Sequence, residues 1–193
     1  MAARSGSKPV AKRVSGVRKR KSAPAPAPAP AFARQSAGAS PKELVLFELG
    51  RARVAVLAAL QGLPPGVASR PIGPGKWSPL EITLHLVASD RLRLEEFARL
   101  RAGESPSWTH LDDASMAVLN ERQLGELRGA PWDAALRLLH TTRAELVAAL
   151  QAVPAEPAET WTVAHAFGAT MLALPKHDRH HAEQIKLARI AGA

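Results

Sequence analysis

Between residues 41 and 191 the apolar positions fall into four long runs, and none alternates as a strand would. Ser40-Pro41-Lys42-Glu43 opens the first run. Serine at the N-cap, proline in the first turn and glutamate three residues on form a capping box. Ser78-Pro79-Leu80-Glu81 repeats the device, with Trp77 placed to staple onto Ile82. Ala130-Pro131-Trp132-Asp133 starts a third helix, with proline at its first position and an acid in its first turn. The stops are Gly62 ahead of Pro64 and Pro65, Gly103, Val153 ahead of Pro154, and Gly192. These bounds predict helices of about 21 to 24 residues, ~31–36 Å long, and so an all-α four-helix bundle. Leu111 to Leu127 reads as a shorter amphipathic helix between the second and third. Pro154 to Gly168 reads as a long connection across one end of the bundle. Pro175, just after Met171, Leu172 and Leu174, either kinks the fourth helix or stands at the first position of a shorter one.

Composition narrows the function. The longest apolar stretch, Val54 to Leu60, falls well short of the ~18 residues of a spanning helix, so a cytoplasmic chain with no membrane partner is expected. The chain has no cysteine, which excludes disulfides, thiolate metal sites and cysteine nucleophiles. Tyrosine is absent and aromatics are 4%, which argues against a stacking platform for single-stranded nucleic acid. The net charge of +9 suggests a polyanion partner, but its distribution confines that signal. Residues 1–40 hold nine basic and no acidic residue, while the rest of the chain balances 17 bases against 17 acids.

The chain therefore divides at residue 40. Met1 to Ser22 is basic and poor in large apolar residues, and reads as disordered. Ala23 to Ala31 alternates alanine and proline, a polyproline II spacer of ~3 Å per residue, and Phe32 to Ala39 completes the linker. This tail is either a solvated extension or an arm that contacts nucleic-acid phosphates without reading sequence. Its prolines argue against a transit peptide, and no apolar segment follows the basic stretch as a secretory signal requires. Residues 40–193 form the bundle domain.

Seven histidines carry the candidate chemistry. His177 and His181 are four apart on the last helix, so they share a face one turn apart and can chelate one ion. His180 is the rival to His181 and points roughly 100° from it. His177-Asp178-Arg179-His180-His181 also approximates the H-E-x-x-H of zinc proteases, with Asp178 as base, but no further ligand follows before Ala193. A third ligand must come from elsewhere. His85 lies in the apolar stretch Leu84-His85-Leu86-Val87, where an imidazole is either a core residue or part of a site built between facing helices.

Two segments carry a resemblance. Gly75-Lys76-Trp77-Ser78-Pro79-Leu80-Glu81-Ile82-Thr83-Leu84-His85-Leu86 and His177-Asp178-Arg179-His180-His181-Ala182-Glu183-Gln184-Ile185 resemble the two signatures of the DinB/YfiT-like superfamily. The resemblance spans roughly Pro41 to Ala191. It implies a four-helix bundle in which His85, His177 and His181 bind one divalent metal, Zn²⁺ or Ni²⁺ being the expected ions. It implies either metal-dependent hydrolysis or transfer of a low-molecular-weight thiol.

Three neutral ligands leave a divalent ion its full charge and an open position, the pattern of a catalytic site. Asp90, five residues after His85, is expected as a partner of a ligand histidine or as a base. Gln184, one turn after His181, is expected to bond to a ligand or a substrate. Glu81 is spoken for by its capping box. His110 is placed near the mouth of the site, and His140 and His165 read as packing or surface residues. The expected partners are a small-molecule or thiol substrate, nucleic acid through the tail, and a second copy in a homodimer. The competing class is a non-catalytic binding module whose tail does the docking.

Overall fold

The computed structural model describes residues 38–191, so every reading of the basic and Ala-Pro tail before Gly38 lies outside the described residues. Among the described residues the chain is all-α: seven helices, two short 3-10 turns and no strand. The helices are α1 (Pro41–Leu60), α2 (Pro65–Ala68), α3 (Pro79–Glu95), α4 (Phe97–Arg101), α5 (Asp113–Leu127), α6 (Trp132–Ala152) and α7 (Ala166–Ala191). The 3-10 turns are Ser107–His110 and Ala158–Trp161. No described helix is long and apolar enough to cross a membrane.

Both serine caps form as the sequence predicts. The backbone N–H of Ser40 donates to Glu43 Oε2 at 2.7 Å, and that of Ser78 to Glu81 Oε2 at 2.8 Å. In return the N–H groups of Glu43 and Glu81 donate to the serine hydroxyls. The third start is shifted by one residue: Pro131 is the N-cap and Trp132 opens α6. Gly62 and Gly103 follow α1 and α4 with φ of 69° and 82°, the left-handed conformation that suits glycine at a helix stop.

One long-helix reading needs correction, and the alternatives left at Pro175 are resolved. The second predicted helix is not continuous to Gly103. Glu96, at φ −84° and ψ 0°, separates α3 from α4, and its carboxylate accepts from the N–H of Ser107 in the following turn. Pro175 does not begin a helix. It lies inside α7, well past the helix start at Ala166. The lost backbone donor is tolerated because Met171, Leu174 and Pro175 are all buried against neighbouring helices.

Helix α1 lies along α7, and α3 along α6, with α5 laid over α3. The helix ends fix the directions. Val45 and Leu49 near the start of α1 cluster with Phe167 and Met171 near the start of α7, and Arg189 near the end of α7 donates to the Gln61 carbonyl at the end of α1. These two helices run parallel. Lys42 at the start of α1 donates to the Gln151 and Val153 carbonyls at the end of α6, so α6 runs the opposite way. The long return from α3 to α6 is carried by α4 and α5. The connection between α6 and α7 stays at one end, where Trp161 is buried and donates to the Pro154 carbonyl at 2.9 Å.

Two large apolar clusters, with a smaller third of Leu84, Leu124 and Ala135, form the core. One gathers Leu49, Leu146, Leu150, Trp161, Phe167, Met171 and Leu174. The other gathers Val56, Leu60, Ile82, Leu86, Leu139, Ala182 and Ile185. Each large aliphatic or aromatic side chain so buried contributes roughly 1.5–3 kcal/mol.

Gly168 marks the tightest approach. A Cβ there would stand 2.2 Å from the Thr162 carbonyl oxygen and 2.5 Å from the Thr162 nitrogen, both backbone atoms that cannot swing aside. Gly168→Ala is therefore expected to destabilise by about 1–3 kcal/mol. Gly50, exposed in α1 with nothing near its added Cβ, should behave oppositely, Gly50→Ala stabilising by up to ~1 kcal/mol. Urea unfolding of the two variants checks both signs.

Candidate metal centre

Helix α3 delivers His85, and α7 delivers His177 and His181 from successive turns. The three rings are brought together: His85 Nε2 lies 3.0 Å from His177 Nε2, and His181 Nε2 lies 3.1 Å from the same atom. The ligand atoms of all three fall within 4.8 Å of one another, a group able to hold a metal ion. Tetrahedral ligands with bonds of about 2.1 Å stand ~3.4 Å apart, so the spacing is close to what one small ion needs.

The tautomers can be worked out. His181 Nδ1 faces the Oε1 of Gln184 at 2.8 Å. An amide oxygen only accepts, so Nδ1 carries the proton and Nε2 presents a lone pair inward. Gln184 Nε2 in turn donates to His180 Nε2 at 3.1 Å. His177 Nε2 touches two neighbours, yet a neutral imidazole has a single N–H. It cannot make a well-aligned hydrogen bond in both directions, so one of the two close contacts is left unsatisfied. A cation among the three nitrogens, each presenting a lone pair, satisfies all of them at once. The Nδ1 atoms of His85 and His177 are buried without a partner among the described residues.

Burial holds the rings neutral. It pushes the His85 pKa down to about 3 and that of His177 to about 2, with further lowering at both from neighbouring cationic groups. His181 is lowered mainly by burial, against which the Gln184 hydrogen bond works. Trp77 covers the site, its ring 4.8 Å from His85 and 6.5 Å from His181 between centroids. Its indole N–H donates to Glu121 Oε1 on α5 at 3.3 Å.

Beside the histidines lies a layer of buried charge. Arg53 of α1, Asp90 of α3, Arg143 of α6 and Asp178 of α7 meet between the two apolar clusters. Arg53 Nε donates to Asp178 Oδ2 at 3.0 Å, and its Nη2 to Asp90 Oδ2 at 3.2 Å. Arg143 forks onto Asp90 through Nε at 3.0 Å and Nη2 at 2.8 Å, and reaches Asp178 at 3.2 Å. Both aspartates are 0% exposed and both arginines 6%.

That layer decides the fate of two readings. Asp90 does not bond to a ligand histidine and is not free as a base, because two guanidinium groups occupy its oxygens. Asp178 is held in the same way, so the protease-like arrangement is not formed. Gln184 does meet a candidate ligand. His180 is exposed and reaches only Gln184 among the described residues. His110 is exposed in its 3-10 turn, and the residue of that turn lining a cleft at the histidines is Trp108. His140 is exposed on α6, and His165 accepts from the Phe167 N–H at the start of α7.

Sequence reading missed Arg53 and Arg143. Their signal was available in the spacing Leu49, Arg53, Val56, Leu60 and Leu139, Arg143, Leu146, Leu150, which places an arginine in each helix's core register. Two cavities flank the histidines. One, of about 330 Å³, is lined by Trp77, Ile82, His181, Gln184 and Leu187. The other, of about 270 Å³, is lined by His85, His177, Arg93, Trp108 and Asn120.

The family model of the DinB superfamily matches residues 48–185, and the chain belongs to that superfamily. Comparison with curated proteins and with solved structures finds no match.

Two outcomes follow from this geometry. Asp178→Asn leaves a buried guanidinium short of a counter-charge, and should lower unfolding free energy by about 3–5 kcal/mol in urea titrations. The second concerns acid. Imidazoles of the unfolded chain titrate near 6.5, whereas His85 and His177 stay unprotonated down to about 3 and about 2. Below 6.5 the unfolded chain therefore binds more protons, and stability of the metal-free protein falls as pH falls, by up to ~1.4 kcal/mol per pH unit for each group. Urea midpoints of metal-free protein across that range check the slope, which His85→Gln should reduce.

Proposed function

We propose that this member of the DinB superfamily is a metalloprotein in which α1, α3, α6 and α7 form the four-helix bundle and His85, His177 and His181 hold one divalent ion, Zn²⁺ or Ni²⁺. Its reaction is transfer of a low-molecular-weight thiol to a small electrophile. The observation that carries the metal reading is the convergence of three Nε2 atoms at 3.0 and 3.1 Å, which neutral imidazoles alone satisfy poorly. When bound, the ion supplies a Lewis acid that acidifies a coordinated water or thiol.

The chain's own residues do the rest. Burial keeps His85 and His177 neutral at physiological pH, so protons do not compete for the lone pairs. Gln184 fixes the tautomer of His181. Trp77 shields one side of the ring cluster.

Thiol transfer is favoured over hydrolysis by the state of the carboxylates. Among the described residues no carboxylate hydrogen-bonds to the three histidines, and Asp90 and Asp178 are bound to arginines. A general base for water is therefore missing where hydrolysis would use one. A coordinated thiol is deprotonated outright, whereas the pKa of a coordinated water is lowered only to near neutrality, so the thiol needs no such base. The docking reading of the chain as a nucleic-acid module rests on the nine basic residues of its first 40 alone.

Elemental analysis of the purified chain tests the metal. His85→Ala, His177→Ala and His181→Ala should each retain a small fraction of the wild-type ion, while His180→Ala retains it in full. A wild-type protein that takes up neither Zn²⁺ nor Ni²⁺ on loading overturns the proposal. Metal-loaded protein should conjugate a low-molecular-weight thiol to monochlorobimane, and His177→Ala should not.

A further inference from the structure

The 270 Å³ cleft is lined by a half-buried cation with no matching anion, Arg93, whereas the cation on the neighbouring cavity, Lys76, is exposed. His85 and His177 form one wall, and Arg93, one turn beyond Ser89 on α3, forms another. No aspartate or glutamate lines it; its polar side chains besides the histidines are Ser89, Arg93, Asn120 and Gln123. The contrast with the other core arginines is direct. Arg53 and Arg143 each bond to both Asp90 and Asp178, whereas Arg93 makes no salt bridge among the described residues.

Arg93 is nonetheless held in place. Its Nη1 donates to the Ser89 carbonyl at 2.9 Å and to the Ser89 hydroxyl at 2.7 Å. Its guanidinium lies 5.1 Å from the Trp108 ring, a cation–π distance. Its Nε is buried without a partner among the described residues. A guanidinium anchored through one nitrogen keeps its other N–H groups for pairing with a carboxylate. Its charge also reaches the site, since Arg93 helps to lower the pKa of both His85 and His177. Burial pushes Arg93 itself down to about 10, which leaves it charged at neutral pH.

We propose that this cleft is the substrate site and that Arg93 binds a carboxylate of the substrate, placing the rest of the molecule against His85 and His177. The apolar side chains Leu92, Met116 and Leu119 line the same cleft and suit a substrate with an apolar body. This inference rests on the reading of the three histidines as the reactive centre, but Arg93 recognises its anion without a metal. The two can therefore fail separately.

Benzoate and its uncharged counterpart benzamide serve as probes, titrated into the full chain in metal-free and Zn²⁺-loaded form and followed by tryptophan fluorescence. Wild-type protein should bind benzoate more tightly than benzamide in both forms. Arg93→Gln should weaken benzoate by about tenfold to a hundredfold, the range for a charge-assisted hydrogen bond, and leave benzamide unchanged. Arg93→Lys, which keeps the charge without the fork, should recover part of the loss, and thermal melts show whether each variant is folded. A wild-type protein with no preference for benzoate overturns the inference whatever the variants do. So does an Arg93→Gln protein, folded, that keeps the preference. If benzoate preference survives in a His177→Ala protein that holds no metal, the anion site stands. If Zn²⁺ binds normally but benzoate gains nothing from Arg93, the metal centre stands and the anion site does not.

Discussion

Four buried charges hold the register of this fold. Arg53, Asp90, Arg143 and Asp178 come one from each of the four long helices and sum to zero. Removing four ions from water is costly, and their mutual attraction offsets that cost only when the geometry is good. Here each guanidinium contacts both carboxylates. The layer separates two apolar clusters that could each tolerate rearrangement of aliphatic side chains. It tolerates none. A one-residue slip of α7 would place His177 or Arg179 where two arginines require an anion.

The candidate site inherits that register. His177 is the neighbour of Asp178, His181 follows it by three residues, and His85 precedes Asp90 by five. Once the aspartates are gripped, the helices that carry the rings cannot slide or rotate freely, and the three Nε2 atoms meet. The same contacts remove the two nearest carboxylates from the chemistry. Histidine ligands commonly donate to a carboxylate, which raises their basicity. In this chain Gln184 supplies a neutral acceptor to His181, while His85 and His177 have no partner for Nδ1 among the described residues. The arginines that stabilise the scaffold thus leave the rings weaker donors than a carboxylate-backed set.

Local signals were legible where the cause is local. The boxes at Ser40 and Ser78 and the glycines at 62 and 103 act within a few residues, and each lies where the sequence places it. The pairing of His177 with His181 follows from helical periodicity alone. The third histidine stayed one of two open readings until the resemblance singled it out, because no spacing rule links α3 to α7 across 92 residues. Glu96 was missed, and Pro175 was left open between two readings, for opposite reasons. The break at Glu96 depends on a contact to Ser107 that no propensity encodes, and the helix through Pro175 depends on tertiary burial that outweighs propensity. In sequence the helix neighbours of Asp90 suggest His85, whereas the arginines it meets in the fold come from α1 and α6. A charged residue in core register looks the same in sequence whether it faces an ion partner or water.

The centre itself works against the fold that carries it. Two imidazoles are buried and one half-buried, two of their nitrogens lack hydrogen-bond partners among the described residues, and one Nε2 faces two others. An unsatisfied buried polar atom costs about 1–3 kcal/mol, so the cluster is a local defect by stability criteria alone. The apolar clusters on either side of the charged layer are large enough to carry it. A ligand that binds only the folded state returns free energy in proportion to the logarithm of its concentration, about 4 kcal/mol at a thousand times its dissociation constant. Strain concentrated at three side chains, next to a charge layer that forbids them to move apart, is the arrangement in which such a ligand gains most.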